Sequence, residues 1–584
     1  MNNLKTTIKI NLIVSAVFTL MCISFRADIS LLAFPVALVF LLVLYFSSHD
    51  QLVKKASIVH LGAIRRVFQY EPFVFITAFV IQRSGKEGFH IAFDAVCSIV
   101  WIAVTVISFR LQYLVSEKRV YSYSDEWKSY HEDHPVIKPK GLKRVAVEIA
   151  EWIDALFQAV FTIVLLNIFL FQLYEIPSES MVPTFLIKDR VIVFKTFAGP
   201  KFPLTDFGLP YLTKYNRGDI VVFRNPHYGI ERKNEVKTFL SQFIYMCSLT
   251  MLKTNTDENG ELKADPLVKR VCALPGEQIY MLDGTLYSRT KDDSEFKAVE
   301  KDSEWAAWDL NPLSEKTKSK IMQIPLSKQQ ASDVLEVESM RRNLDLVSAR
   351  LECESLAREF SLLARPKENS LSVEELFSKS EIMVYNLFSN VNNETISLLT
   401  AEGGAQWFDN FMNSWHRSGE ITFDDKYEEC CFRLNVMVKL VFGRLVVRTA
   451  TLINDGVSAS QWGKDSIRLE NYEKAQKISD YVFEMDLRNL PVFPPCSADG
   501  SANYIPENCY FMMGDNRYNS LDMRHSYEQS LDPLSKADPH SVTYYTNIAP
   551  QWVNRNRMLG KACFRFWPLN RAGAPGVGMS EIRK

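Results

Sequence analysis

The segment "IPSESMVPTF", from Ile176 to Phe185, places two hydroxyl groups two residues apart, directly after a long apolar stretch. A serine hydroxyl is a poor nucleophile unless a neighbouring base removes its proton. Taken alone, Ser178 and Ser180 are typical of an ordinary turn, because serine and proline both favour turns. The segment is therefore a candidate catalytic site only if the chain also supplies a base.

Histidine is the usual base for a serine nucleophile. The histidines after the apolar stretch are His227, His416, His525 and His540. Only His525 lies in a motif-dense region, and no GxSxG motif accompanies any serine. A Ser-His-Asp triad built from distant residues stays open, with His525 as its base, but nothing in the sequence selects it.

Lysine is the alternative base, and the Ser-Lys pair is a known variant of the catalytic triad. Such a lysine must be neutral near neutral pH. A free lysine has a pKa near about 10.4, so lowering it by about two units costs roughly 3 kcal/mol, which burial can supply. Lys269 lies in the β-like run "PLVKRVCALP". Alternation turns its side chain to the face opposite Val268 and Arg270.

Four sequence boxes follow the apolar stretch in a fixed order: "PSESMVPT", "RGDIVVF", "VKRVCALPGE" and "GDNRYNSLDMR". Together they resemble the boxes of type I signal peptidases, also called leader peptidases. The resemblance covers about Ile176–Glu277 and Asn508–Pro568. Four boxes in the family's order make the match specific, whereas each box alone would indicate only a turn or a strand.

The resemblance implies a role for each reacting group. Ser180 matches the nucleophile, and Lys269 matches the general base. Ser178 matches the serine whose hydroxyl forms an oxyanion hole together with the Ser180 backbone N–H. Ser520 matches the hydroxyl that orients the lysine.

The same resemblance implies a supporting shell from the last box. Asp522 and Arg524 match an ion pair that supports the site. Gly514, Asp515 and Asn516 match the loop that shapes it. Neither a metal nor a cofactor is expected.

The chain departs from the family pattern at four positions. Glu179 replaces a usual glycine, Ala273 a glycine, Glu277 an aspartate and Met523 a serine. None of these changes removes a reacting group. Glu179 lies beside the nucleophile, so its charge is expected to affect the titration of Lys269.

The implied function is that of a membrane-bound serine endopeptidase that removes signal peptides from exported preproteins. The implied location is the bacterial cytoplasmic membrane, crossed several times, with the catalytic domain on the extracytoplasmic side. The lipid bilayer is an expected partner and the secretion translocon a candidate one. The alternative is a catalytically silent protein of the same fold that serves as a binding scaffold.

The first part of the chain is rich in apolar runs of about the 20 residues that a bilayer requires. These runs are Ile8–Phe25, Ile29–Phe46, Ile91–Phe109 and Ala155–Tyr174. A fifth run, Val67–Gln82, is shorter and contains a glutamate. Four and five spans both remain open on this pattern.

The distribution of basic residues favours five spans. Lysine and arginine are concentrated before the first run, after the second run and in the loop before the last one. An odd number of crossings puts all three groups on the cytoplasmic side, as the positive-inside rule requires. No A-x-A-like cleavage site follows the first run, which favours a retained membrane segment.

The predicted fold is a membrane α-helical N-terminal region and a mostly antiparallel β catalytic domain interrupted by a large α-rich insertion. The predicted boundaries are 1–174 for the membrane region, 175–290 and 491–584 for the two parts of the β domain, and 291–490 for the insertion. β-like runs with turn signals indicate the β domain, including a hairpin closed at Asp283-Gly284.

Helical periodicity indicates the insertion, which we interpret as structural rather than as a second active site. Leu326–Arg365 has apolar residues at helical spacing. Ser372–Phe388 begins with a capping box between Ser372 and Glu375. Phe239–Leu252 is an apolar run that either lies on the membrane surface or covers the β core.

Composition excludes several other classes of function. The net charge is −1, and no basic stripe with interleaved aromatic residues is present, so no nucleic-acid partner is expected. None of the ten cysteines forms CxxC, which argues against a zinc or redox motif. Cys496 and Cys509 could form a disulfide, whereas the adjacent Cys430 and Cys431 are expected to be free or separately paired.

Overall fold

The structure is a computed structural model, and it describes most of the chain. The described residues are 1–85, 90–133, 140–229, 231–248, 252, 254, 265–368, 371–378, 380–381, 384, 387–417, 419, 422–423 and 425–575.

The N-terminal region consists of helices, as predicted. They are α1 (Asn2–Met21), a 3-10 turn (Ile29–Leu32), α2 (Ala33–Leu44) continued by a π-helix (Tyr45–Lys54), α3 (Leu61–Arg83), α4 (Ile91–Leu114), α5 (Glu117–Val120), α6 (Asp125–Asp133) and α7 (Leu142–Phe169).

Four helical segments in the described part of the chain are long and apolar enough to cross a membrane: Asn2–Met21, Ile29–Lys54, Ile91–Leu114 and Leu142–Phe169. They correspond to the four stronger predicted runs. The fifth run lies in α3, a 23-residue helix that packs against α2 and α4 but is not among these four.

The C-terminal bound of the last predicted span is wrong. The helix ends at Phe169, and Phe171–Glu175 forms β1, which pairs antiparallel with β2. Side chains of this strand alternate between exposed and half-buried, as expected of an edge strand. The apolar run from Ala155 to Tyr174 therefore continues from a helix into the β domain, and its composition alone does not reveal the change.

Within the described residues, the β domain has thirteen strands in three sheets. They are β1 (Phe171–Glu175), β2 (Arg190–Phe194), β3 (Ile220–Phe223), β4 (Leu267–Ala273), β5 (Glu277–Leu282), β6 (Thr285–Thr290), β7 (Lys297–Ala298), β8 (Leu490–Phe493), β9 (Cys509–Met513), β10 (His525–Pro533), β11 (Thr543–Ile548), β12 (Val553–Asn554) and β13 (Met558–Trp567).

The main sheet is seven-stranded, in the order β1-β2-β13-β3-β4-β9-β12, and its neighbouring strands pair antiparallel. A four-stranded sheet, β7-β6-β5-β8, and a two-stranded ribbon, β10-β11, accompany it. Strands from the two parts of the β domain are interleaved in the main sheet: β13, from the second part, lies between β2 and β3 of the first part. The predicted fold class, an antiparallel β domain interrupted by helices, is confirmed.

The predicted hairpin turn is also confirmed. Asp283 and Gly284 connect β5 to β6 with backbone φ values of +51° and +78°. Positive φ at both central residues is the geometry that Asp-Gly favours in two-residue hairpins.

Helices occupy the region between β7 and β8, and α8 lies earlier, between β3 and β4. They are α8 (Arg232–Cys247), α9 (Glu300–Trp305), α10 (Glu315–Lys318), α11 (Lys328–Arg342), α12 (Leu346–Leu363), α13 (Val373–Leu376), α14 (Val391–Thr400), α15 (Gly404–Arg417), α16 (Lys426–Asn454), α17 (Ala459–Trp462) and α18 (Ser466–Arg488).

The insertion packs around α16, a 29-residue helix with buried side chains on most of its surface. The run Leu326–Arg365 forms two helices rather than one, because Asp345 accepts hydrogen bonds from the backbone of the next turn and starts α12. The capping box between Ser372 and Glu375 is confirmed, but it opens a helix of only four residues. Part of Ser372–Phe388 lies outside the described residues.

Two smaller predictions concern α8 and the cysteines. Most of the described part of Phe239–Leu252 lies in α8, which packs against α7 and also pairs through Glu235 with Arg224 after β3. Both alternatives for this run, the membrane surface and the β core, therefore stay predictions. Cys496 and Cys509 are both free thiols, so the suggested disulfide is not formed. Cys430 and Cys431 are free and buried, which agrees with the expectation that they are free rather than separately paired.

One aromatic side chain of the β domain packs against three of the N-terminal helices. Phe202, in the loop after β2, packs against Phe79 of α3, Trp101 of α4 and Phe169 of α7, with ring centroids 6.2, 5.8 and 4.9 Å apart. The contact fixes the base of the β domain against the helices.

A buried ion pair connects the insertion to the second part of the β domain. The Lys439 ammonium in α16 pairs with Asp538, and both side chains are fully buried. Asn435 donates to the same carboxylate at 2.8 Å.

Lys439→Met should lower the free energy of unfolding by about 3–5 kcal/mol, because it leaves the carboxylate buried without its counter-charge.

The matched control is Lys474→Met in α18, which breaks an exposed pair with Glu470. It should cost less than about 1 kcal/mol. Chemical unfolding of the detergent-solubilised full chain measures both values, and equal stability of the two variants would contradict this description.

Candidate active site

A compact loop after β1 carries the two candidate serines. Backbone hydrogen bonds close its base, from Ile176 N–H to Asp189 O at 2.8 Å and from Lys188 N–H to Ile176 O at 2.9 Å. The following apolar side chains of this loop point inward, while Ser178 is exposed and Ser180 half-buried. The two hydroxyl oxygens are 3.4 Å apart.

Lys269 lies on β4, between β3 and β9 in the main sheet. It pairs in register with Val221 and is 3% exposed. Burial lowers the pKa of Lys269 to about 8; the Asp522 carboxylate acts to raise this pKa, and the Arg524 guanidinium acts to lower it. The amine is therefore partly neutral near pH 8.

The loop after β9 contacts the backbone of the candidate nucleophile. Asn516 donates its backbone N–H to Ser180 O at 3.1 Å and its side-chain amide to Glu179 O at 3.1 Å. Arg270 of β4 is opposite Met513 of β9. Continuing this antiparallel register by one residue places Lys269 opposite Gly514. The candidate base and nucleophile therefore border the same loop from two sides.

Asp515 ties this loop to β4 and to the serine loop. Its carboxylate accepts from the Arg270 guanidinium at 2.7 and 2.6 Å and from the Thr184 hydroxyl at 2.5 Å. Arg270 and Asp515 are both buried. A bidentate pair of this kind fixes position as well as charge.

A second buried ion pair lies on the other side of Gly514. Arg524 donates to Asp522 at 2.8 and 3.0 Å, and both side chains are fully buried. Asp522 also accepts from the Ser520 hydroxyl and from Gly514 N–H, each at 2.8 Å. Burial alone would raise the pKa of Asp522, but the Arg524 guanidinium outweighs it, so that pKa lies below its ordinary value.

The structure thus brings the predicted site residues together around one loop. Sequence reasoning missed Arg270 and Thr184 as partners of Asp515, although Arg270 stands in the lysine box itself. It also missed Arg517, whose buried guanidinium pairs with Asp302 at 2.9 and 2.6 Å. Asp302 lies more than 200 residues away, and no local pattern indicates that pairing.

His525, the alternative base, is buried. Burial, followed by the charge of Arg524, lowers the pKa of His525 to about 4. No serine hydroxyl within the described ranges donates to either ring nitrogen. In the same part of the chain, no group of three His, Cys, Asp or Glu side chains could hold a metal ion.

A second lysine has a similarly low pKa. Burial lowers the pKa of Lys195 to about 8, and Arg224 acts in the same direction. Its ammonium donates to Asn167 O at 2.8 Å and to the Gln172 side chain at 3.1 Å, at the end of α7. A lowered pKa alone therefore does not identify the base. Lys269 differs from Lys195 in lying on β4, next to the loop after β9 that contacts the Ser180 backbone.

The boxes that carry this geometry match a known family. The family model described as "Signal peptidase, peptidase S26" matches residues 149–339 and 444–567, more than half of the chain. The chain belongs to the signal peptidase family, peptidase S26. The gap between the matched ranges, residues 340–443, falls inside the predicted insertion and runs from the end of α11 into α16.

Several curated relatives are named Signal peptidase I. One from Buchnera aphidicola subsp. Schizaphis graminum is 37% identical over 79 residues, 14% of this chain and 25% of the relative. One from Buchnera aphidicola subsp. Acyrthosiphon pisum is 32% identical over 131 residues, 22% of this chain and 38% of the relative. One from Bacillus licheniformis is 28% identical over 145 residues, which are 25% of this chain and 53% of the relative. The matches span well under two thirds of each relative.

Gly514 is the position where the site has no room for a side chain. A Cβ atom there would lie 2.1 Å from Ser520 Oγ and 2.4 Å from the Ser180 carbonyl oxygen. Gly514→Ala must displace the backbone of the candidate nucleophile and should cost about 1–3 kcal/mol of stability.

Gly463→Ala is the control, because a Cβ atom at that position meets nothing within 4 Å and the backbone φ is −70°. Thermal unfolding of the full chain compares the two. An unchanged melting temperature in Gly514→Ala would show that the loop is looser than described here.

Proposed function

We propose that this protein is a membrane-bound serine endopeptidase that removes N-terminal signal peptides from exported preproteins. The observation that supports it best is the burial of Lys269 on β4 beside the loop that holds the Ser180 backbone. Family membership and the ordered boxes support the same activity. Ser180 is the proposed nucleophile and Lys269 the proposed general base.

The reaction begins when the neutral amine of Lys269 removes the proton of the Ser180 hydroxyl. Ser180 Oγ attacks the carbonyl carbon of the peptide bond that follows a small residue of the preprotein. The oxyanion is stabilised by the Ser180 N–H and the Ser178 hydroxyl, and each such donor is typically worth about 2.7–4 kcal/mol. The Lys269 ammonium then protonates the leaving amine, and the acyl-enzyme remains.

Deacylation follows the same path with water as the nucleophile. Lys269, neutral again, takes a proton from the water that attacks the Ser180 ester, and it returns that proton to Ser180 as the ester bond breaks. The low pKa of the amine suits both steps, because one group must accept and release a proton near neutral pH.

The supporting residues keep the amine neutral and the loop in place. Asp522 would stabilise the Lys269 ammonium if its charge were free, and Arg524 counters that charge. Ser520 donates to Asp522 and is the proposed group that orients the lysine. The pair of Asp515 and Arg270 holds the Gly514–Asn516 loop against β4.

The proposed location is the bacterial cytoplasmic membrane, with the β domain on the extracytoplasmic side. The four membrane-type helices support a multi-pass arrangement. Counting α3 as a fifth crossing makes the number odd, which puts the basic loops on the cytoplasmic side and the β domain outside. Exported preproteins are the proposed substrates, and the translocon is a candidate partner. We propose 1–174, 175–290, 291–490 and 491–584 as approximate units, with the β domain extended at its start to Phe171.

Two alternatives lead to different experiments. A silent scaffold would retain its fold without the amine and the hydroxyl having any chemical function. A histidine hydrolase would depend on His525, yet that side chain lacks a serine donor within the described ranges. The first alternative predicts no cleavage by the unaltered protein, and the second predicts no cleavage by His525→Ala.

Ser180→Ala and Lys269→Met should each reduce cleavage of a preprotein by at least about 10⁴-fold, because each removes a reacting group. Lys195→Met is the matched control, since it removes a second lysine of low pKa and should retain most of the activity. Gel-based cleavage of a purified preprotein by the detergent-solubilised chain measures all three. Equal activity of the unaltered, Ser180→Ala and Lys269→Met proteins would eliminate the proposed pair.

The pH dependence should report the lysine. The base must be neutral in the free enzyme, so kcat/KM should rise about tenfold per pH unit below about pH 8 and level off above it. His525→Ala should leave this profile unchanged. A rise that levels off near pH 4, the pKa that burial gives His525, and that disappears in His525→Ala would favour the histidine alternative.

A further inference from the structure

The residue before the proposed nucleophile is held by the insertion. The Glu179 carboxylate accepts the backbone N–H groups of Met322 and Gln323, the latter at 3.3 Å, and Glu179 is 7% exposed. Both donors lie in the loop between α10 and α11. Glycine is usual at this variable position of the signal-peptidase pattern, and Glu179 brings to it a carboxylate that glycine lacks.

The same part of the insertion supports the Asn516 loop. Ala307 N–H donates to Asp515 O at 2.7 Å, and Arg517 N–H donates to Ala307 O at 3.2 Å. The buried pair of Asp302 and Arg517 reinforces this attachment.

Apolar contacts complete the connection. Val182 and Leu186 of the serine loop form one buried cluster with Ala307, Leu310 and Leu313 of the insertion. Residues 300–324, which we call the brace segment, therefore contact the serine loop and the loop after β9 at once.

The Glu179–Ser180 peptide is the unit that these contacts fix. Its N–H is the proposed oxyanion donor of Ser180. Its C=O accepts from Asn516 at 3.1 Å and from Val182 N–H at 3.0 Å. With its carbonyl held by one loop and the adjoining Glu179 side chain held by another, this peptide plane has little freedom to rotate.

We propose that Glu179 is a positioning residue and that the brace segment acts through it to aim the Ser180 N–H at the oxyanion. The inference rests on the proposed function, because it concerns the same site. It assigns to residues 300–324 a part in catalysis: their hydrogen bonds to the Glu179 carboxylate restrict rotation of the adjoining peptide. Displacement of an oxyanion donor lowers the rate of the chemical step more than it weakens substrate binding.

The experiment compares Glu179→Ala and the near-isosteric Glu179→Gln with the unaltered chain in preprotein cleavage. Glu179→Ala should lower kcat by about 10–100-fold with KM nearly unchanged, since the substrate does not bind through this carboxylate. Glu179→Gln keeps one acceptor oxygen and should show an intermediate loss. Glu354→Ala, which breaks an exposed pair with Arg350 in α12, is the matched control and should leave kcat unchanged.

The melting temperature and the fraction of folded protein are measured for each variant. The proposal is overturned if kcat per folded molecule is unchanged, or if only KM rises. If Glu179→Ala does not fold, Glu179→Gln decides by the same criteria. Activity that survives in Ser180→Ala would instead refute the proposed function, so the two failures are distinguishable.

Discussion

Lys269 carries a primary amine into the interior of the main sheet, where the ammonium form loses its water. The fall of its pKa from 10.5 to about 8 corresponds to about 3 kcal/mol of lost stabilisation of the charged form. A free carboxylate nearby would restore that stabilisation. Asp522 lies close enough to act on the amine, but its charge is countered by Arg524. The site thus depends on one buried amine, Lys269, whose neighbouring carboxylate, Asp522, is already paired with Arg524.

The geometry around this amine comes from segments that are far apart in the chain. β4 supplies Lys269, the loop after β1 supplies Ser180, and the loop after β9 lies between them. Two buried ion pairs, Asp515–Arg270 and Asp522–Arg524, fix that central loop from both sides. The brace segment adds a third attachment of that loop, through Ala307 and through the pair of Asp302 and Arg517.

Much of the site could be predicted from the sequence, because its residues lie in short boxes whose order is specific. The hairpin at Asp283-Gly284 and the capping box at Ser372 were predictable for a similar reason, since each depends on a few neighbouring residues. The long-range contacts were not. Nothing in the box around Glu179 indicates that its partners are backbone groups of a loop more than 140 residues away.

The predicted element boundaries were wrong where the secondary structure changes without a change in composition. The apolar run that ends at Tyr174 includes the first residues of β1, because an edge strand and the end of an apolar helix can have similar composition. The ribbon of β10 and β11 escaped prediction because β10 is mostly exposed and its sequence, "HSYEQSLDP", has no apolar alternation. In both cases the strand is recognised by its pairing with the next strand along the chain, β1 with β2 and β10 with β11, which the composition of a single run does not show.

The most direct test of the account is the titration of Lys269 itself. The full chain labelled with ε-¹³C-lysine, in detergent, gives one NMR signal per lysine, and the spectrum of Lys269→Ala assigns the signal of interest. The account predicts a midpoint at a pKa of about 8. A midpoint near the ordinary value of about 10.4 would show that the amine is charged and solvated at neutral pH, and would contradict it.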